Sequence, residues 1–582
     1  MTTIEKKIVR RTPLTELPDW DPAQPNILRT VYQNRGIADL QQLEKGTQQL
    51  LSYRQMKGIE EAAALMVRHI QRQSNIVVVG DFDADGATST ALSVLVLKAF
   101  GASNVRYLVP NRFEFGYGLS PEIVQVAHSM NPDLIMTVDN GISSIEGVAA
   151  ARSLGMDVLV TDHHLQGAEL PDANAIVNPN QHGCPFPSKA TCGCGVAFYL
   201  LAAVKAGLKQ AGWFEEQGIR EPNLADYLDI VALATVADVV PLDQNNRIFV
   251  HQGLARIRAG KARPGILALL EVAGRNYQQV VAADMGFAVG PRLNAAGRLD
   301  DMSLGIECLL AEDPYRAREL AVLLNDMNID RRAIEQSMQK EALRFLEKFE
   351  ANTDAEGLPW GVCLYQPDWH EGVIGILASR IKDRVHRPTI AFAQAEDGNL
   401  KGSARSIPGF HIRDGLDAVA KRYPEVLAKF GGHAMAAGMT VRAEHFERFQ
   451  QAFDEEVRRQ LEADQLIAQV ATDGELGVSD FNLDLADLLR NSGPWGQAFP
   501  EPCFDGYFNI VQQRIVGQKH LKLTLSPQGS DLLIDAIAFN VDLNIWPTQA
   551  AKIQCAYKLD INEFRGNISL QLMLEYIQPV FS

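Results

Sequence analysis

Three short apolar runs, each halted by acidic or imidazole side chains, constrain this chain more than any other feature. Ile76-Val77-Val78-Val79 runs into Gly80-Asp81-Phe82-Asp83-Ala84-Asp85-Gly86. Leu134-Ile135-Met136-Thr137-Val138 ends in Asp139-Asn140-Gly141, and Val158-Leu159-Val160-Thr161 ends in Asp162-His163-His164. Unbroken apolar runs of this length suit strands buried on both faces of a parallel sheet. The stretch from Thr88 to Phe100 has helical spacing, as a crossover between parallel strands requires. In such a sheet the C-terminal strand ends share one edge, where ligands bind. The acids and imidazoles are therefore expected side by side. A fourth apolar run, Ile230 to Ala237, leads into Asp238.

Asp81, Asp83 and Asp85 alternate, so an extended backbone would place all three on one face. Like charges at that spacing are costly unless a cation neutralises them. Oxygen donors with one or two imidazoles favour Mn²⁺ or Mg²⁺ over a thiolate-bound metal. Several carboxylates can hold two ions with one acid bridging, a pairing that activates water and clamps a phosphoryl group. Taken singly, an acid after a strand is ordinarily a helix cap or turn residue. Asp81 to Gly86 also begins like a calcium-binding EF-hand loop, but the twelfth position, where that loop needs Glu, is Leu92. His182, Cys184, Cys192 and Cys194 offer a zinc reading, weakened by the lack of a Cys-x-x-Cys pair. Small buried thiols beside Gly193 and Gly195 are the plainer reading.

A chain of 582 residues is too long for one core, so two to four domains are expected. Asp313-Pro314 is a helix start, with a capping acid and Pro at the first helical position. Tyr315 to Glu350 contains neither Gly nor Pro and reads as one long helix or two joined ones. A second α/β unit follows from 360 to about 450, with strands over Gly361–Tyr365 and Thr389–Phe392. Beyond it come five strand-like runs, Tyr507–Val516, Leu521–Leu525, Leu532–Phe539, Lys552–Ile561 and Ile568–Ile577. With a hairpin turn at Phe564-Arg565-Gly566-Asn567 they suit a small barrel of the OB-fold type. The expected fold is thus multidomain α/β. It comprises an N-terminal extension (1–60), a parallel-sheet catalytic unit (61–310), a connecting helix (311–352), a second α/β domain (353–462) and a C-terminal OB-fold β-barrel (463–582).

The net charge of −16 argues against a surface coated with nucleic-acid-binding charge. Local balance differs. From Lys401 to His433, Lys401, Arg405, Arg413, Lys421, Arg422 and Lys429 face only Asp414, Asp417 and Glu425. The N-terminus carries Lys6, Lys7, Arg10 and Arg11 with no apolar stretch behind them, so no secretory signal or membrane span is expected. Seven cysteines do not make a disulfide framework at this length, which points to a cytoplasmic protein with reduced thiols.

The motifs resemble the DHH/DHHA1 phosphoesterase superfamily, named for Asp162-His163-His164. Within it they are most similar to the bacterial single-stranded-DNA-specific exonucleases. The resemblance spans about 60 to 580. It rests on Val79 to Gly86, Val138 to Gly141, Thr161 to His164, Thr235 to Leu242, Arg292 to Arg298, Trp369 to Ile376 and Gly431-Gly432-His433. It implies two ions, Mn²⁺ or Mg²⁺. Asp83 and Asp139 would hold one; Asp85, Asp139, His163 and Asp238 would hold the other. Asp81 and His164 would bind directly or support these ligands. It also implies 5′ to 3′ hydrolysis of single-stranded DNA to mononucleotides in recombination and repair.

The same resemblance sets a DHHA1 domain opposite the metals, its Gly431, Gly432 and His433 near substrate phosphate. Arg292, Asn294, Arg298, Arg380 and Arg405 would follow the DNA, and Arg112 would cap a 5′ phosphate. Phe113, Phe115 and Tyr117 would stack on bases or pack in the core. In the barrel, Arg514, Lys519, His520, Lys522 and Arg565 would line a strand-binding groove. Expected partners are single-stranded DNA, a single-strand-binding protein and a RecQ-type helicase, with the enzyme itself a monomer away from membranes. Two other functions compete. A small-molecule phosphoesterase of the superfamily is disfavoured by the added barrel and helix. A scaffold that has lost its metals is disfavoured by the full set of acids and imidazoles.

Overall fold

In the computed structural model, the described residues are 6–111, 115, 118–352, 358–395, 397–427, 429–517, 519–541, 546, 550–564 and 566–580. After β1 (Lys7–Arg10), the three acid-terminated runs fold as strands of one sheet. It contains β2 (Ile76–Val79), β3 (Val105–Leu108), β4 (Leu134–Val138), β5 (Asp157–Thr161) and β6 (Ala175–Val177). All its pairings are parallel, in the order β3-β2-β4-β5-β6. Alternate residues feed two cores. Val77, Val79, Ile135, Val158 and Val160 pack against the helices Pro121–His128 and Ile145–Ser153. Val78, Met136 and Leu159 face the helix Ala84–Ala99 and the larger core. The chain leaves β2 for β3 on one side and returns to β4 on the other. That topological switch point opens between the ends of β2 and β4, where Asp81 and Asp139 stand.

Two details depart from the reading of the sequence. The run Ile230 to Ala237 is not extended; it belongs to the helix Leu228–Ala237. That helix is apolar on nearly all sides because it is buried, so its sequence has no stripe to separate it from a buried strand. Asp81, Asp83 and Asp85 also do not share an extended face. The backbone turns at Asp83, whose Oδ1 accepts the Gly86 N–H at 3.0 Å and caps the helix Ala84–Ala99. Strands β3 and β6 lie at the sheet edges, where one side is less deeply covered and the apolar signal is weaker.

The helix Pro314–Asn352 is continuous over 39 residues. The Asp313 carboxylate caps it, accepting the N–H groups of Tyr315 and Arg316 at 3.3 and 3.1 Å. At this length it spans about 58 Å. Its first half packs on the helices Pro264–Val272 and Gly290–Leu299, and its second half on Ile374–Val385. The second sheet holds β7 (Val362–Tyr365), β8 (Thr389–Gln394), β9 (Leu400–Arg405), β10 (Lys429–Gly432) and β11 (Ala436–Val441), in the order β10-β11-β9-β8-β7. Next, β12 (Gln469–Thr472) pairs in parallel with β1. The last five strands, β13 (Phe504–Val516), β14 (His520–Pro527), β15 (Ile534–Ala538), β16 (Lys552–Phe564) and β17 (Asn567–Val580), close a barrel. Among the described residues, no helix is long and apolar enough to cross a membrane.

The β1–β12 pair ties the N-terminal strand to the segment that leads into the barrel, and a buried ion pair reinforces it. Arg35 Nη1 lies 2.9 Å from Asp473 Oδ1, with side chains 1% and 0% exposed. Asp473 also accepts from Asn34 Nδ2 and the Cys503 N–H at 2.9 and 3.1 Å. Removing one partner of such a pair strands the other's charge inside the protein. Asp473→Ala should therefore lower stability by about 3–5 kcal/mol, read from the chemical-denaturation midpoint. A midpoint equal to the parent's would refute this staple.

Candidate metal centre

The end of β2 delivers Asp81, the cap of the next helix delivers Asp83, and its first turn delivers Asp85. Strand β4 ends at Asp139 with φ at +62°. A non-glycine residue reaches that left-handed region at a cost of about 1–3 kcal/mol, and such strain clusters at functional sites. Asn140 Nδ2 pins the bend, donating to Val79 O at 3.1 Å and Val138 O at 2.9 Å. Asp238 enters at the C-terminal end of the helix Leu228–Ala237.

These groups converge. His163 Nε2 lies 3.1 Å from Asp139 Oδ1, 3.6 Å from Asp238 Oδ2 and 3.8 Å from Asp85 Oδ2. Donor atoms of Asp85, His163 and Asp238 lie within 4.8 Å of one another, as do those of Asp81, Asp83 and Asp139 and those of Asp139, His163 and His164. Asp139 and His163 each belong to two of these groups.

The electrostatics describe a centre short of positive charge. Burial, then repulsion from Asp83, pushes the Asp85 carboxyl up to about 6, although the N–H groups of Cys194 and Gly193 oppose the shift. Burial and the neighbouring aspartates raise Asp139 and Asp238 well above the usual carboxylate range. Burial pushes His163 down to about 4, leaving a neutral imidazole with a lone pair to offer. Four or five acids around one neutral imidazole fit divalent cations, which would reverse the penalty on every charged acid.

Some residues named in the sequence motifs carry supporting roles that the motifs alone do not assign. Asp162, first of the Asp-His-His triplet, is a buried hub that orients its neighbours. Its Oδ1 accepts the His163 and His164 N–H groups at 2.7 and 3.1 Å, and its Oδ2 accepts the Ile142 N–H at 2.9 Å. It also bonds His164 Nδ1 at 2.7 Å. Burial works against a charged His164, but this bond and the Asp162 charge prevail, raising it to about 9. Gly193 and Cys194 begin the helix Gly193–Gln210, and their N–H groups donate to Asp85 at 2.6 and 2.9 Å. A Cβ at Gly193 would stand 2.6 Å from the Asp139 Cβ, so only glycine admits this approach. Gly193 and Cys194 of the Cys-Gly-Cys-Gly string are thus explained by the acids beside them. Among the described residues, no candidate metal group contains a cysteine.

The second sheet supplies the opposite wall. His433 follows β10, and its ring lies 6.4 Å from that of His164 with a 20° tilt. Before it, Gly431 faces open space, while a Cβ on Gly432 would meet Ala436 O at 2.4 Å. Asn294 Oδ1 accepts the Ala84 N–H at 2.8 Å, beside Asp83 and Asp85. Arg298 Nη1 donates to Gly372 O at 3.0 Å, bridging the two units. The other arginines bond within the protein. Arg292 donates to Asn325 and Ala288, and Arg405 to Ser403 and Ala404. Arg380 pairs with Glu335 on the long helix at 2.9 Å. Phe115 packs with the Leu119–Ile123 core. Arg112, Phe113 and Tyr117, like Arg565 of the barrel, lie outside the described residues.

Comparison with known proteins agrees with this geometry. Residues 75–235 match the DHH family, N-terminal domain; 360–459 match the DHHA1 domain; 472–576 match the RecJ OB domain. The chain is 55% identical to the single-stranded-DNA-specific exonuclease RecJ of Escherichia coli, over 98% of this chain and 99% of that one. It is 52% identical to that of Haemophilus influenzae, over 99% and 100%. The crystal structure of RecJ in complex with Mn²⁺ from Thermus thermophilus superposes with a TM-score of 0.75 at 28% identity, covering 96% of this chain and 76% of that one. With three domain matches in order and such identity over nearly its whole length, the chain belongs to the RecJ family.

Proposed function

We propose that this protein is a single-stranded-DNA-specific exonuclease that uses two Mn²⁺ or Mg²⁺ ions to release 5′-mononucleotides in the 5′ to 3′ direction during recombination and repair. The convergence of two donor triads, Asp81-Asp83-Asp139 and Asp85-His163-Asp238, carries this reading. The functions named for the E. coli and H. influenzae relatives support it.

Asp83 and Asp139 would hold one ion, with Asp81 a neighbouring donor, and Asp85, Asp139, His163 and Asp238 would hold the other, Asp139 serving both. When bound, such a pair supplies an activated water and offsets charge developing on the phosphate. The chain's own groups do the rest. Gly193 and Cys194 orient Asp85, and Asp162 fixes His164. With its pKa raised to about 9, His164 is cationic at neutral pH and offers a proton to a phosphate oxygen. Across the gap, Gly431, Gly432 and His433 bind the backbone phosphates. Arg292, Asn294, Arg298, Arg380 and Arg405 set the strand's course, Arg112 caps its 5′ phosphate and Tyr117 stacks on a base.

The division into an extension (1–60), catalytic unit (61–310), connecting helix (311–352), DHHA1 domain (353–462) and barrel (463–582) belongs to the same proposal, as does a monomeric state. A RecQ-type helicase and a single-strand-binding protein are fitting partners, because the enzyme needs unpaired strands. Seven buried, unpaired cysteines support a cytoplasmic setting.

Incubation with 5′- and 3′-labelled single-stranded and duplex DNA tests the reading. Labelled mononucleotide should leave the 5′ end of single strands only, stop with EDTA, return with Mn²⁺ and be absent in Asp139→Ala. Hydrolysis of cyclic dinucleotides with DNA untouched would replace the proposal. Gly193→Ala should weaken Mn²⁺ binding about 10- to 100-fold by calorimetry, the usual effect of disturbing a ligand's support. Unchanged affinity would remove Gly193 from the centre.

A further inference from the structure

Phe287 is 84% exposed, more than any other large apolar side chain among the described residues. It occupies a single π-helical turn, Met285–Val289, that leads into the helix Gly290–Leu299. Turns of this kind weaken local backbone geometry and concentrate at functional sites. This one is anchored to the metal centre from two directions. A Cβ on Gly286 would lie 3.3 Å from Val236 Cγ1, and one on Gly290 would lie 3.2 Å from Ala237 Cβ. The two glycines thus let the turn lie on the residues just before Asp238. Farther along the same helix, Asn294 holds the Ala84 N–H between Asp83 and Asp85. The position of Phe287 is therefore fixed relative to acids on both sides of the centre.

The ring does not face a core. It lines a cleft of about 790 Å³ between the catalytic unit and the barrel, together with Val239, Arg258 and Arg490, while Lys558 on the same wall is paired with Glu501 and Glu575 at 3.0 and 2.9 Å. Val239 directly follows Asp238, is 63% exposed and has φ at +58°, a strained conformation for a β-branched residue. Val239 and Phe287 are thus two exposed apolar side chains on one cleft, and Val239 lies one residue from an acid of the centre. Arg258 and Arg490 are oriented on the cleft wall by donating to Val280 O and Gln279 O at 2.8 and 2.9 Å. An exposed aromatic platform beside fixed cations suits an unpaired nucleic-acid strand, because a base offers a π-face and its linkage a negative charge.

We propose that Phe287 is a positioning residue that stacks on a base of the single strand running between the metal centre and the barrel, and so sets the strand's register. The inference rests on the nuclease reading above. Its test compares the parent, Phe287→Ala and Phe287→Trp on a single strand of about 20 nucleotides. Phe287→Ala should raise KM about 10-fold, the scale of one lost stacking contact, with kcat and Mn²⁺ affinity kept. Phe287→Trp should restore KM. With EDTA present, 2-aminopurine scanned along the strand should show one interior position that is quenched by the parent and brightens with Phe287→Ala. A parental KM in Phe287→Ala, an equal fall in kcat, no rescue by Trp, or no position-specific change would each overturn the proposal while leaving the nuclease reading intact. A parent that cuts no single strand would overturn both.

Discussion

The structure depends on holding mutually repelling carboxylates together away from bulk water. Asp81, Asp85 and Asp139 are buried, with Asp83 and Asp238 beside them. Left alone, Asp85, Asp139 and Asp238 would resist ionising because of their burial and their neighbours. The fold accepts this cost with rigid supports. Strands β2, β4 and β5 are buried through most of their length, so their ends cannot drift apart. Backbone N–H groups reach Asp85, and Asn140 ties the strained Asp139 bend to β2. The result is a preorganised cation site whose energetic deficit a divalent ion would remove.

A second constraint is that the centre has walls from distant parts of the chain. His433 faces His164 from the other sheet, and Arg298 bonds Gly372 across the same gap. The helix Pro314–Asn352 sets the spacing between these walls, and the Arg380–Glu335 pair ties the second unit to it, with Arg331 of the same helix holding Glu335. At the far end, β1 and Arg35 hold the linker that leads into the barrel. The chain thereby returns to its beginning, and both the second sheet and the barrel take fixed places around one active edge.

Much of this was readable from local pattern. The acid-terminated runs announced strands because burial on both faces demands unbroken apolar sequence. Asp313-Pro314 announced the long helix because a cap and a preset φ are local requirements. Strands β14 and β15 of the barrel alternate between two environments, as a small barrel's strands do. Asp238 is legible at the end of its apolar run, but the helical form of that run is not, since a wholly buried helix has no polar face to betray it. Edge strands β3 and β6 escaped because partial exposure dilutes the same signal.

The sequence by itself determined the parallel sheet, the order of units and the chemical character of the cluster, since these follow from periodicity and residue type. Only the tertiary structure decided which groups meet. It turned the three alternating aspartates out of one line by capping a helix with Asp83. It made Asp162 a support for His164, and Gly193 the point where a helix touches Asp85 and Asp139. It paired Arg380 with Glu335. Apart from the local Asp162–His164 bond, each of these is a contact between residues distant in sequence or a change of backbone direction. Their energies depend on separation in space, which no local pattern encodes.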